Sequence, residues 1–268
     1  MLEPLVGRNS VILLDGDAHM EQRKLMLPAF HGEKMERLSG LMGEVAEREV
    51  AGWPRGEAIE LHPRMQSLTL EIILRAVFGL EPGARLDALR ERLAALLAFG
   101  DRPISLIPPD PDGIAFKVLK RAGPFAAFVR AQEEADEMVF ALIDEGRRGE
   151  GKGDAILAML LAARHEDGSP MSDQEVRDEL MTLLVAGHET TASTLAWAFA
   201  GISRHPEVLD RLTAEVEADQ VEDYLTATIQ ETLRCRPVLP NVAPRLVMQP
   251  IEVGGWTYPQ GICLVPNA

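Results

Sequence analysis

Ser172, followed three residues later by Glu175, forms a capping box, and the apolar pattern that begins there runs on to about Ser203. A helix of about 30 residues at about 1.5 Å per residue spans roughly 45 Å, enough to cross a whole domain rather than cover one edge. Such a helix is a scaffold axis, and every other element of the chain has to pack around it. Its apolar part, residues 179–202, is interrupted by His188, Glu189, Thr190 and Thr191, which makes a bilayer span expensive. It reads as a buried helix of a soluble protein.

The remainder of the chain supplies helices for that axis. Residues 33–50, 61–78 and 86–99 carry apolar side chains at three and four spacing, as in Leu86, Leu89, Leu93 and Leu97. A short strand-like run at 11–14 precedes a helix over 15–27 that Pro28 closes. Pro103, Pro108, Pro109 and Pro111 forbid a helix through 101–113, so that stretch is a loop, and helical patterning resumes at Ile114. The glycine-rich, charged run 145–154 is an exposed connection. After Arg236-Pro237 the pattern turns to strands at 251–253, 256–258 and 262–265, a small β-meander. The fold class expected is mainly α, a helical array around one long central helix with that meander at the C-terminal end.

Composition removes several functions. Lys and Arg number 27 against 42 Asp and Glu, and a net charge of -15 repels phosphate backbones, so nucleic acid is not expected as a partner. The two cysteines, Cys235 and Cys263, form neither a CxxC pair nor a disulfide framework. The first residues lack the basic start and apolar run of a signal peptide. A cytoplasmic location fits these features.

The strongest chemical signal is Ala186-Gly187-His188-Glu189-Thr190-Thr191, in the middle of the long helix. Glycine there costs about 1 kcal/mol relative to alanine, and a buried carboxylate costs more unless it is paired or solvated. One reason for both is chemical: a flat cofactor or small ligand could approach the backbone at Gly187, while Thr190 bonds back to the Ala186 carbonyl and loosens the helix. Glu189 and Thr190 then make a short proton relay from solvent. The other reason is structural, with Gly187 allowing close helix packing and Glu189 meeting an arginine in the core. A zinc protease is ruled out, because HExxH needs histidine at 192, where Ala192 stands.

Two weaker signals flank this one. Glu231 and Arg234 are three apart on one helix face, where such pairs are commonly exposed and inert. His19 and Arg23 are four apart and share a face; the imidazole and forked guanidinium suit a carboxylate, although solvated surface residues would look the same.

In this order and spacing the signals resemble the cytochrome P-450 family, over essentially the whole chain. AGHETT is similar to its oxygen-activating motif, IQETLRCRP to its ExxR helix, DGDAHMEQRK to its first haem-contacting helix and APRL to a segment after the ExxR helix. The resemblance implies haem b (iron protoporphyrin IX) as cofactor, with Glu189 and Thr190 as the acid and alcohol. It implies His19, Arg23 and Arg245 on the haem propionates, Ala186 and Gly187 along the haem, and Glu231 with Arg234 bracing the core. A monooxygenase of this kind takes dioxygen, a small apolar organic substrate and electrons from a ferredoxin or flavoprotein.

Residues 1–268 are then expected to be a partial P-450 domain. The family's N-terminal sheet and first helices, and the loop whose cysteine thiolate holds the iron, have no counterpart in the sequence. Cys235, inside the ExxR helix, and Cys263, on a strand, lack the setting of that ligand. The chain by itself is therefore expected to be inactive, with a full-length parent as the enzyme. Two alternatives stay open: a non-enzymatic truncated helical remnant, and an apolar-ligand-binding module without haem.

Overall fold

A computed structural model describes residues 2–30, 33–98, 124–150, 155–218, 223–241 and 243–267. The helices are α1 (Glu3–Val6), α2 (Gly16–Met26), α3 (Glu33–Ala51), α4 (Leu61–Phe78), α5 (Ala84–Leu97), α6 (Pro124–Arg147), α7 (Ile156–Ala162), α8 (Asp173–Ile202), α9 (Pro206–Glu217) and α10 (Asp223–Cys235). The four strands are β1 (Arg245–Leu246), β2 (Ile251–Val253), β3 (Trp256–Tyr258) and β4 (Cys263–Leu264). The chain divides into two compact units, residues 1–189 and 190–268. The first unit therefore holds α1 to α7 and α8 as far as Glu189.

Helix α8 starts where the capping box places it. The Ser172 N–H donates to Glu175 Oε2 at 2.7 Å and the Glu175 N–H donates to Ser172 Oγ at 3.2 Å, so two N–H groups at the helix start are satisfied reciprocally. Helix α4 has the bounds read from its periodicity, and Gly79 ends it in the left-handed conformation at φ 70°, where an L side chain is disfavoured. Pro28 ends α2 by diverting the chain into a 3-10 turn, Leu27–Phe30.

The first unit has one apolar core. Leu74 from α4, Leu86, Leu89 and Leu93 from α5, Val139 and Ile143 from α6, Leu160 from α7, and Leu180, Met181 and Leu184 from α8 form it. The Leu86, Leu89 and Leu93 stripe faces inward, as its spacing requires.

Two local expectations change. Residues 11–14 form turns rather than a strand, because Val11 offers its N–H and carbonyl to side chains, not to a neighbouring strand. In the second unit three strands fall within the expected runs, the last shortened to Cys263–Leu264, β1 is an addition the sequence did not suggest, and the four pair as two ladders. β2 and β3 make an antiparallel hairpin through Gly254 and Gly255, whose φ values are 60° and 81°, as a type I′ turn demands. β4 pairs with β1 instead, Arg245 opposite Leu264. The loop expected at 101–113 and the resumption at Ile114 lie outside the described residues. Helix α6 extends to Arg147, into the run expected as a connection.

Candidate active site on the long helix and its support on the second helix

Two polar groups on α8, His188 and Glu189, meet α4 within the first unit. His188 is buried and its Nδ1 lies 2.9 Å from Thr69 Oγ1 on α4. The Thr69 hydroxyl donates back to the Met65 carbonyl at 2.9 Å, so its oxygen accepts from Nδ1–H, which fixes the imidazole tautomer. Burial holds the imidazole below its ordinary pKa, against the pull of the Glu189 charge, and keeps it neutral.

Glu189 stands on the exposed side of the same helix. Its Oε1 lies 3.1 Å from His62 Nε2, and its Oε2 accepts from Gln66 Nε2 at 2.8 Å; both partners belong to α4. Half of the side chain is open to water. A carboxylate held by donors on one side and wet on the other is placed to exchange protons with solvent. Thr190, the next residue, is half-buried, and Ala186, one turn earlier, is exposed.

Gly187 packs against α4. A Cβ built on it would lie 2.9 Å from Ile73 Cδ1, so the missing side chain makes room for the tip of Ile73. Close helix packing, one of the two reasons for a glycine here, is thus realised within the first unit.

His19 and Arg23 lie one turn apart on α2. His19 Nδ1 is 2.9 Å from the Val11 carbonyl, which commits that nitrogen and leaves Nε2 for another partner. Arg23 is exposed, and its guanidinium makes no hydrogen bond or ion pair among the described residues. A guanidinium exposed beside an oriented imidazole is a combination suited to carboxylates.

Sequence reasoning missed what stands behind this pair. Asp178 and Glu179, nearly fully buried on α8, fasten residues 7–11. Asp178 Oδ2 accepts from the Asn9 N–H at 3.1 Å and from Asn9 Nδ2 at 2.9 Å, and Glu179 Oε1 accepts from the Val11 N–H at 2.8 Å. Thr182, one turn on, lies 2.6 Å from the buried Ser10 hydroxyl. Arg177 balances Asp178 at 3.2 Å and Asp136 at 2.6 Å. Burial pushes the Glu179 carboxyl up to about 7, opposed by the neighbouring Gln22 carboxamide and the Val11 N–H, while the Asp178 charge adds to the rise. Neither Glu179 Oε2 nor Gln22 Nε2 completes a well-directed hydrogen bond. The available signal was three consecutive charges, Arg177 to Glu179, inside an apolar helix.

In the second unit Glu231 and Arg234 on α10 form a two-point ion pair, both contacts 2.7 Å, and both side chains are exposed. Arg234 holds the Glu231 carboxyl down to about 2. Arg245, on β1, is exposed and donates to the Ala243 carbonyl at 3.1 Å. Cys235 and Cys263 are free thiols and exposed. Among the described residues no helix is long and apolar enough to cross a membrane.

The comparisons with known proteins agree with this architecture. The family model described as cytochrome P-450 matches residues 5–268. The chain is 38% identical over 274 residues to the cytochrome P-450 135B1 sequence of Mycobacterium tuberculosis, covering 99% of the chain and 56% of that relative. It is 37% identical over 268 residues to cytochrome P-450 138 of the same organism, covering 99% and 59%. Among solved structures, the cytochrome P450DA haem domain superposes with a TM-score of 0.80 at 26% identity, covering 98% of the chain and 60% of that structure. Retinoic acid-bound cyanobacterial CYP120A1 shares the fold, with a TM-score of 0.78 at 21% identity over 98% of the chain and 59% of that structure. The chain thus spans less than two thirds of the length of these relatives. With a match that covers nearly every residue and a helical array of the same architecture, the chain belongs to the cytochrome P-450 family.

Proposed function

We propose that the full-length parent of residues 1–268 is a haem-dependent monooxygenase. In this reading it inserts one oxygen atom from dioxygen into a small apolar organic substrate in the cytoplasm, using electrons from a ferredoxin or flavoprotein, and residues 1–268 are part of a single cytochrome P-450 domain. The observation that carries it is the Glu189–Thr190 pair at the middle of α8, its carboxylate half open to water and bracketed by His62 and Gln66, in a chain of this family.

The side chains on α2 fit haem b. His19 Nε2 and the Arg23 guanidinium would hold its carboxylate side groups. Ala186, exposed on α8, would flank the group, whereas the space beside Gly187 is taken by Ile73, and Glu231 with Arg234 would brace the fold. Bound haem supplies the activation of dioxygen and the oxidation chemistry, and the protein supplies placement and protons. Glu189 takes up protons from water at its carboxylate, and Thr190 hands them inward at Oγ1. His188, held neutral by burial and bonded to Thr69, fixes the roll of α8 between them and α4.

Thr190→Ala in the haem-loaded full-length parent tests the relay. Loss of coupling between reductant consumption and product formation is expected, with reductant still consumed. Unchanged coupling would refute the role of Thr190.

A further inference from the structure

We propose that Glu179 is the positioning residue for His19, the neighbour of Arg23 on α2, acting through the backbone of Val11. This deepens the reading that those two side chains hold the carboxylates of haem and rests on it.

The connection runs through two hydrogen bonds on one residue. Glu179 Oε1 accepts from the Val11 N–H at 2.8 Å, and the Val11 carbonyl meets His19 Nδ1 at 2.9 Å. The carbonyl has no proton to give, so this contact requires Nδ1–H and leaves Nε2 as the nitrogen without a proton while the ring is neutral. The ring can then take up a proton at Nε2 and donate it to a carboxylate, without giving up its hold on Val11. Were Val11 free to rotate, His19 would lose the acceptor that selects this tautomer. Residues 11–14 form turns, so no strand neighbour holds Val11 in place.

The same acid also meets Gln22 of α2. Gln22, between His19 and Arg23 on the inner side of α2, is 4% exposed and its Nε2 is unsatisfied, as is Glu179 Oε2. The Gln22 carboxamide nevertheless opposes the rise of the Glu179 pKa, so the two side chains face each other at the junction of α2 and α8 without a well-directed hydrogen bond. The strap itself admits little slack. A Cβ at Gly7, whose φ is +84°, would stand 1.9 Å from Asp178 Oδ1, and Asn9 and Ser10 are each tied to the same face of α8.

The test uses the haem-loaded protein with ¹⁵N-labelled histidine, reduced and bound to carbon monoxide so that it is diamagnetic. In the wild type the His19 ring is expected to show Nδ1–H held against solvent exchange. In Glu179→Leu it is expected to exchange at least ten-fold faster, and Glu179→Gln, which keeps an acceptor for the Val11 N–H, is expected to restore the wild-type signal. Should Glu179→Leu not fold, Thr182→Val loosens the strap one turn away and is expected to move the signal in the same direction. An unchanged His19 signal in whichever of these two variants folds would overturn the proposal.

Haem transfer to apomyoglobin separates this from the underlying reading. Glu179→Leu is expected to speed haem loss about ten-fold, and to add nothing when His19→Phe is already present. A full multiplicative effect in the double variant would overturn positioning through His19. If instead His19→Phe and Arg23→Ala leave haem loss unchanged, the haem-clamp reading fails, and the histidine signal still decides what Glu179 does.

Discussion

His188 Nδ1 and Thr69 Oγ1 meet 2.9 Å apart in the interior, between α8 and α4. The contact settles which ring nitrogen carries the proton and fixes the face that α8 turns toward α4. Thr69→Val keeps the shape of the side chain but leaves a buried N–H without an acceptor, which costs about 1–3 kcal/mol. Denaturant unfolding at pH 8, where His188 is neutral in both states, is expected to show a loss in that range. A loss below a few tenths of a kcal/mol would mean that the bond does not fix the helix.

Gly187 and Ile73 offer a second check, because two effects of similar size oppose each other there. Adding a methyl group removes a helix penalty of about 1 kcal/mol but presses on Ile73 Cδ1 at 2.9 Å. Gly187→Ala alone is therefore expected to change stability by less than about 1 kcal/mol. Ile73→Val withdraws the methyl group in contact, so Gly187→Ala in that background is expected to stabilise by about 1 kcal/mol. Thermal unfolding of the four variants in the cycle reads the difference.

Glu179 sets a pH dependence of definite sign. Its folded-state pKa, about 7, stands above the ordinary value of 4.5, so the folded protein binds the proton more tightly than the unfolded chain. The resulting stabilisation is complete below about pH 4.5 and is lost as pH rises through 7; a shift of this size corresponds to about 3 kcal/mol. Glu179→Gln has no proton to lose. The stability difference between wild type and variant is expected to drift against the wild type by about that amount from pH 4.5 to 8, and a pH-independent difference would show that burial does not shift this acid. His188 acts with the opposite sign, since its depressed pKa removes stability as pH falls below about 6.5.

Much of this architecture was legible in the sequence because it depends on local rules. Ser172 and Glu175 announce the start of α8, the three and four spacing of leucines gives α4 and α5, and Gly254-Gly255 between short β-prone runs gives the hairpin. The strap at residues 7–11 was not legible. Its hydrogen bonds go to side chains about 170 positions away, and no period in the sequence reports on a backbone N–H satisfied by Asp178 or Glu179. The same limit hid His62 and Gln66, which sit on an ordinary amphipathic helix until α8 brings Glu189 against them. It also left two meanings for Gly187, which only the position of Ile73 distinguishes.

The absorbance spectrum of the reduced protein with carbon monoxide bears most directly on the proposed chemistry. Purified as the full-length parent from cells supplied with a haem precursor, the folded protein is expected to carry one haem and to give a carbon monoxide-shifted Soret band, in the position of a thiolate-ligated iron. A folded protein that takes up apolar ligands yet shows no haem absorbance would contradict the monooxygenase reading and leave a helical binding module in its place.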